Sequence, residues 1–127
     1  MDHVSRNSML MLEKSMDFLW KKQAAILDNV ANAETPGYKT KSVTFEESFR
    51  AQLQKAQAKG DPAALRDVLE NAHATVRELP GVTRMDDNGV NVTEQSVEMV
   101  RNAYQLQYVM SAMNSELNAL RTAARGQ

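Results

Sequence analysis

The chain has 127 residues, with 15 basic and 16 acidic side chains, no cysteine and a hydrophobic fraction of 43%. That length holds one domain. The evenly mixed charge argues against a nucleic-acid footprint and an electrostatic membrane anchor, and the lack of Cys excludes disulfides and thiolate metal sites. No apolar run approaches the roughly 20 residues that span a bilayer.

The N-terminus lacks a positive segment followed by an apolar one, so export, if it occurs, is expected to remove no signal peptide. A helix is predicted from about Ser5 to Ala31. Met9, Leu12, Met16, Leu19, Gln23, Ile26 and Val30 step by three and four, an a/d seam with one polar break at Gln23. Trp20 and Leu27 widen the stripe, and Asp17 and Lys21 are spaced to pair on the outer side. The helix must stop at Asn32-Ala33-Glu34-Thr35-Pro36-Gly37-Tyr38: Asn32 suits a helix end, and Pro36-Gly37 fits the centre of a type II turn.

The middle, about 34–92, is less regular. Thr44 and Glu47 have capping-box spacing for a short helix carrying Phe45, Phe49, Leu53 and Ala56 on one side, with Gly60 as its end. Asp61-Pro62 restarts a helix that buries Leu65, Val68 or Leu69, and Ala72. Val76 and Leu79, then Val82 and Met85, flank Pro80-Gly81 as in a small β-hairpin, and Asp86-Asp87-Asn88-Gly89 is a turn cluster.

The last segment, 93–127, is the most regular, with Asn91 or Thr93 able to cap it. Met99, Ala103, Leu106, Met110, Met113, Leu117, Leu120 and Ala124 form an uninterrupted a/d seam. Glu94 and Glu98 lie near the start and Arg121 and Arg125 near the end, each sign opposing the helix dipole. The predicted fold is therefore mainly α. The segments 1–33 and 93–127 pair as a coiled coil and form one assembly domain around the irregular middle. Trp20, Leu27, Val97, Val100, Tyr104 and Tyr108 fall outside the strict seams, and apolar surface left over from a helix pair marks a protein interface.

No catalytic, cofactor-binding or metal-binding set can be assembled. His3 and His73 are far apart and read as surface residues. Glu46 and Glu47 are adjacent and diverge on a helix, and the Asp86-to-Gly89 run lacks the spacing of a calcium loop. The expectation is a non-enzyme without cofactor or metal, without nucleic-acid binding and without direct membrane insertion.

The stretch from Leu27 to Lys39 resembles the hallmark of flagellar axial proteins, an Asn-Ile/Leu-Ala-Asn-x-x-Thr-Pro-Gly-Tyr/Phe element after the first helix. Asn29, Ala31, Asn32, Thr35, Pro36, Gly37 and Tyr38 carry the match. Asn91-Val92, Glu94 and Glu98-Met99 resemble the family's second element, with Thr93 where Asp is usual. The short middle segment is similar to that of the proximal rod proteins of the flagellar basal body. The resemblance implies a structural subunit that leaves by type III export without a cleaved signal peptide. It then joins other rod subunits and adjacent basal-body proteins in a helical tube crossing the periplasm. The seam residues Met9, Leu12, Met16, Leu19, Ile26, Val30, Met99, Leu106, Met110, Met113, Leu117 and Leu120 become its expected assembly residues. The same seams would also suit a cytoplasmic helical adaptor or export chaperone.

Overall fold

A computed structural model describes residues 3–45, 47–80 and 89–126. The elements run α1 (His3–Ala31), β1 (Lys41–Phe45), α2 (Glu47–Lys59), α3 (Pro62–Glu70), β2 (Ala74–Glu78) and α4 (Val92–Ala124). The two long helices pair antiparallel: Asn29 meets Gln95, Lys22 meets Glu98, Gln23 meets Asn102 and Ser8 meets Glu116. Their apolar centre is Leu19, Leu106 and Val109, with Leu12, Met16, Phe18 and Met113 packed against it.

The α1 seam faces inward along its length. Leu19 and Ile26 are buried, and Met9, Leu12, Met16, Gln23 and Val30 are half-buried. On α4 the spacing was right but the stripe was displaced. Met99, Leu106, Met113 and Leu120 lie on the inner side, whereas Ala103, Met110, Leu117 and Ala124 are exposed. Their places in the pair are taken by Asn102, Val109 and Glu116. The reason is that α4 is apolar on both flanks of its shared positions. The side chosen was the one whose polar residues, Asn102 and Glu116, have partners on α1: Gln23 for the first and Ser8 for the second.

The middle segment is an αα-hairpin inserted between two strands. β1 and β2 pair antiparallel in the register Val43↔Val76 and Thr44↔Thr75. Val76 of the hairpin expected about Pro80-Gly81 lies in β2, and the partner of β2 among the described residues is β1, before α2. Val82, Met85 and the Asp86-to-Asn88 part of the expected turn cluster lie outside the described residues. Lys41-Ser42-Val43-Thr44-Phe45 alternates and holds two β-branched residues, which suits a pleated edge. Thr44 is consequently a strand residue, and α2 starts three residues later, so the expected Thr44–Glu47 capping box does not form. The Phe45 and Phe49 side chains lie outside the described set.

The rest of the hairpin follows local chemistry. Gly60, at φ +63, ends α2 in a conformation that disfavours a Cβ. Asp61 caps α3 by accepting from the Ala63 N–H at 3.0 Å, with Pro62 first in the helix. Leu69 and Ala72 are buried, Leu65 and Val68 half-buried. Lys14 of α1 donates to the Ala72 and Glu70 carbonyls at 3.0 and 3.4 Å, setting a cation at the C-terminal end of α3. α1 therefore serves as the common support: α4, β1, β2 and α3 all pack on it.

Candidate assembly interface

Asn29 joins the two long helices to the strand. It is fully buried, and each of its side-chain hydrogen-bonding positions is filled. Its Nδ2 donates to the Lys41 carbonyl and to Gln95 Oε1, both at 2.9 Å. Its Oδ1 accepts from the Lys41 N–H at 2.8 Å and from the Tyr38 hydroxyl at 3.1 Å. One side chain thus satisfies backbone at the start of β1, a side chain of α4 and the last residue of the turn.

The neighbouring motif residues build that turn. Asn32 donates to the Asp28 carbonyl at 2.9 Å and accepts from the Thr35 hydroxyl at 3.2 Å. The Tyr38 N–H bonds the Thr35 carbonyl at 3.3 Å, and Gly37 has φ +72, the bond and sign that a type II turn about Pro36-Gly37 requires. Ala31, Thr35, Pro36 and Gly37 are exposed. Asp28 pairs with the Lys41 ammonium at 2.6 Å. The hydrogen bond and charge of Asp28 raise the Lys41 pKa above its ordinary value. Partial burial is the main cause of a raised Tyr38 pKa, opposed by Lys41 and aided by Asp28 and Glu78, so the phenol remains a donor to Asn29.

A second polar tie lies two turns away. Asn102, fully buried, donates to Gln23 Oε1 at 2.7 Å and to the Leu19 carbonyl at 2.9 Å, while its own Oδ1 has no partner. The polar break in the α1 seam is therefore matched by a polar residue opposite. Neither Gln95 nor Asn102 was singled out from the sequence. The available signal was a buried-type spacing carrying amides on both helices.

Between Gln95 and Tyr108, α4 carries apolar residues on both sides, with Met99 and Leu106 turned inward. Its side toward α1 also carries Gln95, Glu98 and Asn102. Exposed on it are Val97, Val100, Tyr104 and Tyr108, the last two 69% and 75% exposed. Met110 and Leu117 are 50% and 42% exposed. α1 adds Trp20, Ala24, Leu27 and Ala31, spaced by four, three and four, all exposed. Exposed apolar stripes on both members of a helix pair are the kind of surface that marks a protein interface.

Among the described residues no group of three His, Asp or Glu side chains could hold a metal ion. His73 is exposed. No described helix is long and apolar enough to cross a membrane.

No family model matches the chain. It is 30% identical over 118 residues to the flagellar basal body rod protein FlgB of Aquifex aeolicus, covering 91% of this chain and 90% of that protein. It is 28% identical over 116 residues to the FlgB of Aeromonas hydrophila, covering 84% of each. With the FlgB of Bacillus subtilis it shares 27% over 117 residues, 91% of each.

Proposed function

This chain belongs to the FlgB family of flagellar basal body rod proteins, and we propose that it is a structural subunit of the proximal rod, held in place by the outward apolar stripes of α1 and α4. The observation that carries the mode of assembly is the outer side of α4: Val97, Val100, Tyr104 and Tyr108 face solvent, while Gln95, Glu98 and Asn102 take inner places beside Met99 and Leu106. A free-standing domain gains by the reverse arrangement, because each apolar side chain removed from water stabilises by roughly 1.5–3 kcal/mol. The pattern suits a subunit whose fold is completed by neighbours.

The partners proposed are other rod subunits and adjacent basal-body proteins, at the basal body where the rod crosses the periplasm. Export through the flagellar type III apparatus, with the N-terminus retained, accompanies this reading. The chain has no catalytic role in it; its chemistry is apolar burial and polar registration. The seam residues divide by task. Met9, Leu12, Met16, Leu19, Ile26, Val30, Met99, Leu106, Met113 and Leu120 hold the helix pair, and Met110 and Leu117 meet neighbouring subunits.

The test is retention. Basal bodies purified from cells expressing a tagged chain are expected to contain it through salt and detergent washes. An adaptor or chaperone would be recovered instead as a folded cytoplasmic dimer and be absent from washed basal bodies.

A further inference from the structure

Beyond Asn102, α4 carries two lines that can face α1. Both share Leu106, Val109 and Met113. The observed line continues through Glu116 and Leu120, both half-buried, and leaves Leu117 42% exposed. The other continues through Leu117, Leu120 and Ala124 and is apolar at every step.

Helix geometry does not choose between them. Upstream, the phase of α4 is fixed by polar ties to α1: Gln95 to Asn29, Glu98 to Lys22, and Asn102 to Gln23 and the Leu19 carbonyl. Asn102 is fully buried, so it marks the line that faces α1. Four turns of a straight helix take about 14.4 residues. Counted from Asn102, that line arrives between Glu116 and Leu117. A left-handed supercoil keeps the seven-residue step and turns Glu116 inward, whereas a straighter path turns Leu117 inward. Both paths leave Asn102 and Val109 in place.

Local chemistry holds the end loosely. Past Asn102 the polar tie is the hydrogen bond from Ser8 to Glu116, at 3.0 Å. One part-buried bond to a carboxylate and one leucine withdrawn from water are contributions of similar size. Residues 121–126 are exposed and anchor nothing.

We infer that the end of α4 has two positions on α1, one with Glu116 inward and Leu117 offered to a neighbour, the other with Leu117 withdrawn. The chain thereby covers part of its own assembly surface while it is free. A neighbour that touches Leu117 only in the outward position draws the helix end to that position. This consequence rests on the rod reading; the two positions themselves do not.

The test uses the absence of native cysteine. Purified full-length chain carries Ser8→Cys together with Glu116→Cys, Leu117→Cys or Asn118→Cys, and dilute monomer is treated with a one-carbon bis-thiosulfonate. Asn118 is exposed and faces away from α1 on either path. Intramolecular links are expected at both Glu116→Cys and Leu117→Cys, the second no more than about tenfold slower. Asn118→Cys should link far more slowly than either. Linking at only one of the first two positions means a single fixed arrangement and overturns the inference. Equal linking at all three means a frayed end and overturns it as well.

A further variant separates exchange from fraying. Adding Glu116→Leu to the Leu117→Cys pair fills the observed line with an apolar side chain. It should slow the Leu117→Cys link by about tenfold; an unchanged rate would contradict the two positions. None of these outcomes depends on the basal body. Retention of the wild-type chain in washed basal bodies tests the rod reading separately.

Discussion

Replacing Asn29 by alanine strips partners from the Lys41 N–H and carbonyl, Gln95 and the Tyr38 hydroxyl at once. Buried groups left unsatisfied cost about 1–3 kcal/mol each where water cannot reach them. Allowing for local rehydration, Asn29→Ala should destabilise the monomer by about 2–4 kcal/mol, read from urea unfolding; a change under about 0.5 kcal/mol would deny Asn29 its linking role. The Asp28–Lys41 pair acts through pH. Its raised lysine pKa means the folded state holds the proton more tightly than the unfolded state. Its contribution is complete below the ordinary lysine value of about 10.4 and is lost as pH rises through the folded value. The melting-temperature difference between wild type and Lys41→Met should be constant at neutral pH and shrink above that range. A difference that grows with pH would reverse the assignment. At this scale the sequence was legible where constraints were local. Pro36-Gly37 dictates its turn through its own dihedral angles. The role of Asn29 was not legible, because its partners lie 12 and 66 residues away.

The elements were read well where period alone decides them. α1 and α4 emerged with ends close to the observed ones, and Asp61-Pro62 and Gly60 marked α3 and the end of α2 through cap chemistry. Periodicity could not decide which flank of α4 turns inward, since Met110 and Leu117 make the outer flank as apolar as the inner. β1 escaped notice because five residues carry little periodic signal and its partner lies beyond two helices. The Gln23–Asn102 layer is a register device of the kind a buried polar residue supplies in coiled coils, at a cost in stability. Gln23→Leu with Asn102→Leu should raise the stability of the monomer by about 1–2 kcal/mol by removing an unpartnered buried oxygen. Light scattering should then reveal additional association states. A double variant that is less stable and strictly monomeric would show that the layer serves packing instead.

The whole molecule is a helix pair braced along α1, with the last residues of α4 left bare. β1, β2 and α3 pack on α1 and α2 packs on α3, leaving the outer stripes of both long helices and the last part of α4 to solvent. Every described residue from Arg121 to Gly126 is exposed. Hydrogen exchange in dilute monomer should therefore be fast in this tail and slow around Leu19, Leu106 and Val109, since local opening follows the density of buried contacts. Uniform protection along α4 would indicate a pair that needs no neighbour. The central claim is that outward apolar side chains serve assembly while inward ones serve folding. Leu117→Asp and Leu19→Ala separate the two. Leu19→Ala should destabilise the monomer by about 2–5 kcal/mol. Leu117→Asp, at an exposed position, should change monomer stability by less than about 0.5 kcal/mol. The decisive measurement is the amount of Leu117→Asp chain retained in washed basal bodies from cells without the wild-type copy. The account predicts a fully folded chain that is missing from the basal body and cells that do not swim; wild-type retention with normal motility would contradict it.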